Sequence, residues 1–413
     1  MKFEMNDKSI YIIGAGISGL VAAIELEKAG YYPVILEASD RIGGRIKTEE
    51  VDGYLLDQGF QVMLTAYPEL SRYLDLEKLN LKKFKPGAVI FKPGATYAVH
   101  DPLRNPLKLF AMAFSKVGTI WDKYKMYALT QDLKEKPLDA IFSEPQTSTQ
   151  EYLKNFGFSD KIIQNFFAPF FRGIFLETSL STSSRMFEFV FKMFAEGQAA
   201  IPEKGMGQLS QQLFEKLEHT QIRYNTGVVR VEKNKIILED ENTITADDII
   251  IAIPPGKLIG HEETAFHEVT NIYYTLQQSF IGKAMIGLVP DDKFLVNNLV
   301  FLTDVSPGYA SDGRALLSVS VIKDIKGIEN PEQLIALELE ALTGINATYF
   351  QHVKTYTISN ALPVIKDAKH WIPRQHTKLY DHVYLAGDHL LNGSINAAMT
   401  SGRLAAEAVI TGE

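Results

Sequence analysis

The start of the chain alternates short apolar runs with one helical pattern. Residues 8–13 predict a short buried strand, and after a glycine-rich turn the apolar residues recur at the spacing of one helix face. Gly30 is placed to end that helix, and residues 33–36 predict a second strand that stops just before Glu37. This order of strand, glycine turn, helix and strand predicts a βαβ unit.

Comparable patterns occur farther along the chain. Residues 205–254 predict a helix, two strands joined by a polar turn, and a buried strand closed by two prolines. Residues 383–388 predict an apolar strand, and residues 393–410 predict a helix that Ser394 can cap. Strand and helix segments of this kind are therefore predicted at both ends and in the middle of the chain.

The intervening segments follow different patterns. Residues 101–200 are mainly helical, whereas residues 86–100 and 266–370 contain strand-like runs, which predicts a mixed sheet covered by helices. Eleven of the 24 phenylalanines fall between Phe156 and Phe194. That density predicts either a core of packed helices or an apolar channel that would suit a hydrophobic or extended substrate.

Composition narrows the class of protein. The 413 residues suggest two or three domains, since a domain takes ~100–200 residues, and 46% hydrophobic residues fit a globular core. A net charge of −8 leaves no basic field for nucleic acid. The absence of cysteine excludes disulfides, thiolate metal sites, thiol nucleophiles and any flavin linked through a cysteine sulfur. The nine histidines are scattered, and no metal site is predicted.

The sequence shows neither an export signal nor a membrane-spanning segment. The first residues lack the apolar run of a signal peptide, and no stretch of ~18 apolar residues occurs, so a cytoplasmic protein is expected. Residues 106–128 combine apolar side chains with lysines. They are interpreted either as a face for peripheral membrane contact or as a solvated helix face. The oligomeric state is not predicted.

The glycine-rich turn has the spacing of a dinucleotide-binding site. Gly14 allows the tight turn, Gly16 lets a pyrophosphate approach the backbone, and Gly19 lets the helix lie close to the strand. The phosphates would lie at a helix N-terminus, where N–H groups and the dipole favour anions. Glu37, 18 positions after Gly19, can accept hydrogen bonds from both ribose hydroxyls and would repel a 2′-phosphate. NADP is therefore disfavoured.

A second glycine pair favours FAD over NAD. Gly43 and Gly44, followed by Arg45, offer backbone amides and a guanidinium to the same pyrophosphate, a clamp that simple NAD dehydrogenases do not need. The run EASDRIGGRIKT, which begins at Glu37, together with the first glycine turn resembles a superfamily of FAD-dependent oxidoreductases. Its members are flavin-containing amine oxidases, protoporphyrinogen oxidases and carotenoid (phytoene) desaturases. Arg41 belongs to this run or is a surface charge.

This resemblance implies an α/β fold in which an FAD-binding Rossmann-like (GR2-type) domain carries an inserted substrate domain of a mixed sheet plus helices. The implied FAD-binding domain is discontinuous and comprises residues 1–85, 205–265 and 375–413. The implied substrate-binding domain comprises residues 86–204 and 266–374. The FAD would be held without a covalent bond.

Further residues acquire roles from the resemblance. Residues 56–63 would pass near the flavin ring, although Phe60 replaces the second glycine of monoamine oxidases. Val228 would pack through its backbone against the adenine end, or it is an ordinary strand valine. Asp388 would bind the ribityl or phosphate region, and the last helix would point its positive end at the N1–O2 edge of the flavin. The cofactor-binding residues implied in this way are Gly14, Gly16, Ser18, Gly19, Glu37, Ala38, Gly44, Arg45, Gly59, Gln61, Val62, Val228, Gly387, Asp388, Ser394, Ile395 and Asn396.

Lys283 is the candidate catalytic residue. It lies in an apolar, strand-like run, at a spacing that resembles the lysine that holds a water at flavin N5 in amine oxidases. Burial near N5 would lower the pKa of this lysine and let it assist proton or oxygen chemistry. A strand lysine that faces solvent is the alternative.

The function implied by the resemblance is FAD-dependent removal of a hydride from an apolar organic substrate. The ALP run that begins at Ala361 resembles the desaturase and protoporphyrinogen oxidase branches. An FAD-dependent amine oxidase is the first alternative, and a non-redox flavoprotein or isomerase of the same fold is the second. The predicted partner is accordingly a hydrophobic small molecule or an amine.

Overall fold

A computed structural model of the chain describes residues 8–100, 117–260 and 263–413. Its first sheet has six strands, which come from the start, the middle and the end of the chain. All neighbouring strands are parallel except the last pair, which is antiparallel. The predicted βαβ unit is present, with Gly30 just past the end of its helix. The strand order across the sheet is Gln221–Arg223, Val34–Leu36, Ile10–Ile13, Asp248–Ile251, Val383–Leu385 and Lys378–Tyr380.

Both faces of this sheet are covered. Ile12 and Ile250 pack into the main hydrophobic core with the helices Ile17–Lys28 and Ile395–Thr411. Ile13 and its neighbours face a second cluster, to which a small three-stranded sheet contributes. Burial on both faces explains why these strands are continuous apolar runs in the sequence. The small sheet consists of Val228–Glu232, Lys235–Leu238 and Thr243–Thr245.

The second large sheet has seven strands and is mixed. Its strands are mostly antiparallel, but Ile286–Leu288 pairs in parallel with Gly87–Lys92. The helix Pro331–Thr343 packs against one face. The predicted mixed sheet is therefore confirmed. The strand order is Gln351–Pro363, Phe266–Leu276, Ala315–Val321, Val296–Phe301, Ile286–Leu288, Gly87–Lys92 and Ala95–His100.

Helices fill much of the region between Thr119 and Glu196. Thr119 caps the helix Ile120–Glu135 through a capping box with Asp122, and Pro137 separates that helix from the next. Two small antiparallel sheets complete the strand structure of the described residues. One consists of Thr48–Val51 and Tyr54–Asp57, and in the other Ala199–Ile201 lies between Met63–Leu64 and Lys82–Lys83. The other α-helices and the π-helical turn in the described part of the chain are Leu70–Tyr73, Leu138–Ser143, Thr149–Asn155, Asp160–Ile162, Ile163–Phe167, Ala168–Phe175, Ser184–Glu196, Gly207–Phe214, Gly256–Ile259 and Leu302–Val305.

The two ends of the chain meet in one helix pair. A Cβ atom added to Gly402 would lie 2.2 Å from the backbone oxygen of Ser18, so the helices Ile17–Lys28 and Ile395–Thr411 touch through their backbones.

Within the described ranges, no helix combines the length and the apolar character needed to cross a bilayer. The predicted α/β class is confirmed, whereas the domain boundaries stay a prediction. Residues 106–116 of the proposed membrane face lie outside the described residues.

Candidate functional site

One cavity of about 1170 Å³ joins the glycine-rich edge of the six-stranded sheet to the second sheet and the phenylalanine-rich helices. Most of the residues predicted to bind a cofactor line it. Gly19, Ala38, Val228 and Asn396 do not, and the candidate catalytic residue Lys283 does not line it either. The predicted residues that line the cavity are Gly14, Gly16, Ser18, Glu37, Gly44, Arg45, Gly59, Gln61, Val62, Gly387, Asp388, Ser394 and Ile395.

The first glycine turn leaves no space for side chains. Gly14 has φ +102°, and a Cβ atom there would lie 2.6 Å from Ile253. A Cβ atom at Gly19 would lie 2.0 Å from the carbonyl oxygen of Gly14. Gly19 therefore brings the helix against the strand without lining the cavity itself. No side chain caps the N-terminus at Gly16, so the first turn of the helix directs backbone N–H groups towards the cavity.

The second glycine pair packs on the first. The amide of Gly43 donates to the carbonyl of Ala15 at 2.9 Å. A Cβ atom at Gly44 would lie 3.2 Å from the Cα atom of Gly16, and Gly44 has φ +57°. The two glycine turns therefore present their backbones side by side to the same part of the cavity.

Glu37 is buried at the end of its strand and holds the turn together. Its carboxylate accepts a hydrogen bond from the amide of Ala15 at 2.7 Å and from the amide and hydroxyl of Ser39 at 2.9 and 2.7 Å. Thr226 donates from its amide to the Glu37 carbonyl at 2.9 Å. Val228 lies two residues after Thr226 and begins the strand Val228–Glu232, but it does not line the cavity. Ala38 is exposed.

Arg45 and Asp388 form an ion pair across the cavity wall, although 343 positions separate them. Arg45 also donates to the carbonyl of Ala361 at 3.2 Å, and its own carbonyl accepts from the Gln61 amide at 3.1 Å. Asp388 follows Gly387, which has φ +145°. The sequence predicted both charged residues as cofactor ligands, and the fold places them beside each other.

The last helix begins at the cavity. Ser394 caps it, since its hydroxyl accepts from the amide of Ala397 at 3.0 Å, and no acidic residue occupies its first turn. The side chain of Asn396 is turned away, because its Oδ1 atom accepts from the amide of Glu69 at 3.0 Å. The predicted helix terminus is present, but a segment distant in sequence engages the Asn396 side chain.

Lys283 does not occupy the predicted place. It is exposed, lies in a bend before the strand Ile286–Leu288, and does not line the cavity. The Ser279 hydroxyl accepts from the amides of Ile281 and Gly282 at 3.1 and 2.9 Å, so the chain turns where a continuous strand was expected. The expected burial of Lys283 in the site is therefore wrong, and solvent exposure is the correct alternative.

Asp57 anchors the turn 58–62, which lines the cavity. Its Oδ1 atom accepts from the amide of Met206 at 2.8 Å, and its Oδ2 atom accepts from the hydroxyl of Tyr309 at 2.8 Å. The hydroxyl of Tyr273 donates to its carbonyl at 2.8 Å. Burial raises the pKa of Asp57 from 3.8 to about 6. A fully enclosed carboxyl thus holds the backbone that leads into Gly59.

Asp57→Asn is expected to stabilise the protein above pH 6. Because the native pKa is about 6 and the ordinary value is 3.8, the native state keeps the Asp57 proton between these pH values while the unfolded chain loses it. The contribution of this proton to the free energy of unfolding is therefore complete below about pH 4 and is lost as the pH rises through about 6. In urea unfolding at pH 7.5, the variant should be about 1–3 kcal/mol more stable than the wild type. The gain should shrink at pH 5.

The exposed Asp132→Asn substitution is the control for Asp57→Asn. It should leave the free energy of unfolding within about 0.5 kcal/mol of the wild type at both pH values. A gain for Asp57→Asn that is the same at pH 5 and pH 7.5 would contradict the proposed titration of Asp57.

The phenylalanines serve as both core and cavity wall. Some belong to the hydrophobic core and do not line the cavity, such as Phe167, which packs against Phe158 and Phe187. Others line the cavity, namely Phe166, Phe170, Phe171, Phe175, Phe191 and Phe194. The two interpretations of this segment, a core of packed helices and an apolar channel, therefore each apply to some of its phenylalanines.

Three polar residues of the cavity wall were not predicted from the sequence. Asn298 and Ser320 belong to two central strands of the mixed sheet and bond to each other at 3.2 Å. Lys123 also lines the cavity and is only 8% exposed. The lysines of residues 106–128 were interpreted as a solvated or membrane-facing surface, so buried Lys123 corrects that expectation.

The glycine-rich part of the cavity suits a flavin dinucleotide. It combines two glycine turns that have no side chains between their backbones and the cavity, two helix N-termini, the buried carboxylate of Glu37 and the guanidinium of Arg45. Two buried polar atoms that face this region, Gln61 Oε1 and His389 Nε2, have no hydrogen-bond partner in the described part of the chain. Burial lowers the pKa of His389. No cluster of potential metal ligands occurs among the described residues.

Comparison with models of known protein families identifies the family to which this chain belongs. The model of the family described as flavin containing amine oxidoreductase matches residues 17–410. The chain therefore belongs to that family and is classed with the flavin-dependent oxidoreductases. FAD is the cofactor expected for this family.

Individual relatives are distant. An L-amino-acid oxidase of Protobothrops flavoviridis is 24% identical over 327 residues, or 68% of this chain and 61% of that protein. Protoporphyrinogen oxidase 2 of Arabidopsis thaliana is 25% identical over 171 residues, or 41% of this chain and 33% of that protein. The chain spans about three fifths of the length of the L-amino-acid oxidases it matches.

A solved structure shows the same fold over nearly the whole chain. It is a protein from Exiguobacterium sp. 255-15, provisionally described as a protoporphyrinogen oxidase, and it superposes with a TM-score of 0.75. The match covers 99% of this chain and 100% of the other, at 19% identity. At that identity the likeness shows the fold alone.

Proposed function

We propose that the chain binds one FAD without a covalent bond and removes a hydride from an apolar organic substrate. One observation carries this proposal: a single cavity runs from the bare glycine turns to a wall of phenylalanines. A dinucleotide matches the first part, because amides and helix termini favour its phosphates. An apolar substrate matches the second, because aromatic and aliphatic walls favour it over a polar one.

Each part of the glycine-rich region has a proposed task. The amides at Gly16 and Gly44 would hold the pyrophosphate, and Arg45, oriented by Asp388, would add a positive charge. Glu37 would accept from the ribose hydroxyls while it keeps its bond to Ala15. The N-terminus capped by Ser394 would place a partial positive charge where the reduced ring carries its negative charge.

The chemistry needs little from acids and bases of the protein. Bound FAD supplies the ring that accepts a hydride. The chain would orient the substrate against that ring and exclude water through the apolar wall around Phe170 and Phe191. Lys283 has no part in this proposal, since it is exposed outside the cavity.

Oxidation of an amine is the second candidate function. The family model and the L-amino-acid oxidase relatives favour it. The apolar wall favours the first candidate, which is also the activity in the name of the Arabidopsis relative, a protoporphyrinogen oxidase. The two functions differ in the substrate that would reduce the flavin.

The purified full chain is expected to be yellow and to release FAD when it is denatured, since no cysteine can tether the cofactor. In the absence of oxygen, protoporphyrinogen IX should bleach the flavin absorbance, whereas putrescine and L-leucine should not. Bleaching by either amine alone would favour the second candidate. A colourless protein that does not take up added FAD would contradict both.

A further inference from the structure

The cavity contains a buried cation that the proposed flavin site does not use. Lys123 lines the cavity on the same face of the helix Ile120–Glu135 as Met126 and Thr130. That helix packs against the phenylalanine-rich segment, because Ser159 donates from its amide and hydroxyl to the carboxylate of Asp122 at 2.8 and 2.6 Å. We call the part of the cavity lined by Lys123, Met126, Thr130, Ile162, Phe166 and Phe170 the phenylalanine lobe.

The Lys123 ammonium has no partner among the residues that the structure describes. Its Nζ atom is buried and makes no hydrogen bond or ion pair with any described residue. The neighbouring carboxylate of Asp122 is engaged by Thr119 and Ser159. Burial alone lowers the pKa of Lys123. A lone buried ammonium is unfavourable unless an anion compensates it.

The other acids of the cavity are already paired. Glu177 accepts from the hydroxyl of Ser181 and from the amide of Thr182. Glu37 accepts from Ala15 and Ser39, and Asp388 binds Arg45. The lysines Lys85 and Lys366 also line the cavity, but both are exposed. Lys123 is thus a buried positive charge for which the described residues provide no counter-charge.

We propose that the substrate is an apolar molecule that carries a carboxylate, and that Lys123 binds this carboxylate in the phenylalanine lobe. This inference rests on the proposed function, because it assigns the substrate class of the same cavity. The phenylalanines would bury the apolar body, and the ammonium would fix its acidic end. Lys123 would therefore set specificity and orientation without taking part in the electron transfer.

The test uses the FAD-loaded full chain and three probes of one size: 4-phenylbutanoate, 4-phenylbutan-1-ol and 4-phenylbutylamine. Isothermal titration calorimetry should show the carboxylate binding at least about tenfold more tightly than the alcohol and the amine. Lys123→Met should weaken carboxylate binding by about 10- to 100-fold, since a hydrogen bond to a charged group is lost. Alcohol binding should change by less than about threefold.

Matched variants separate the ion pair from general effects. Lys123→Arg should retain carboxylate binding within about fivefold, because the positive charge remains. Lys134→Met, an exposed change on the same helix, should have no effect on it. The melting temperature of Lys123→Met should not fall below that of the wild type, because the substitution removes an unpaired buried charge.

Two outcomes would overturn the assignment of Lys123: carboxylate binding that is unchanged in Lys123→Met, or an alcohol or amine that binds as tightly as the carboxylate. The FAD content of each preparation reports separately on the proposed function. A protein that retains FAD but binds the carboxylate independently of Lys123 would refute this inference alone. A protein that cannot hold FAD would refute the proposed function.

Discussion

Replacing Glu37 by alanine is expected to release most of the FAD from the protein. The buried Glu37 carboxylate accepts from the amide of Ala15 at 2.7 Å, and we propose that it also accepts from the ribose of the cofactor. If two ribose bonds of about 1.5 kcal/mol each are lost, affinity should fall about 100-fold. Fluorescence titration of the FAD-free protein with FAD gives the dissociation constant directly.

Two further variants show whether that loss is local. Glu37→Gln keeps an acceptor for Ala15 but removes the charge, so its affinity should fall by about tenfold. Glu135→Ala changes an exposed glutamate in the last turn of a helix and should bind FAD like the wild type. An FAD affinity for Glu37→Ala equal to that of the wild type would show that Glu37 does not contact the ribose.

The first glycine turn could be predicted because its geometry is local. Gly14, Gly16 and Gly19 lie within one turn and one helix start, and their spacing already fixes which backbone atoms approach each other. The strand that ends at Glu37 is adjacent in the sheet, so its position follows from the same βαβ unit. Short-range sequence patterns therefore determine most of the glycine-rich part of the cavity.

Errors arose where a distant segment decides the outcome. The Asn396 side chain faces Glu69, 327 positions away, and no local pattern indicates that contact. The error for Lys283 has a different, local cause. Lys283 was assigned because it lies in an apolar run at a spacing that resembles that of the amine oxidase lysine, but Ser279 and Gly282 form a turn that ends the run before the lysine. Periodicity cannot separate one long strand from two short ones when the intervening turn is itself partly apolar.

The burial of Lys123 could not be predicted for a similar reason. Its helix carries exposed aromatic residues as well as buried leucines, so the apolar pattern does not define one buried face. Trp121 and Tyr124 are exposed, whereas Leu129 and Leu133 are buried. Which face meets the cavity depends on how the segment from Ser159 onwards packs against this helix. Such packing follows from tertiary structure, which local propensity does not encode.

Gly402→Ala is expected to destabilise the protein and weaken FAD binding together. Alanine normally stabilises a helix interior relative to glycine by ~0.5–1 kcal/mol, so helix propensity predicts the opposite result. Here the new Cβ atom would lie 2.2 Å from the Ser18 carbonyl oxygen, which would force the helices Ile17–Lys28 and Ile395–Thr411 apart. Both helices begin at the cavity, at Gly16 and Ser394, so their separation would disturb the two helix termini proposed to hold the cofactor.

Urea unfolding should show a loss of about 1–3 kcal/mol for Gly402→Ala, the range of overpacked cores. The FAD content after gel filtration should fall in the same preparation. Gly308→Ala is the matched control, because its Cβ atom would lie 3.5 Å from the nearest atom, an ordinary contact distance. Wild-type stability and FAD content in Gly402→Ala would mean that the two ends of the chain do not approach each other this closely. The proposal that both ends hold one cofactor would then lose its structural basis.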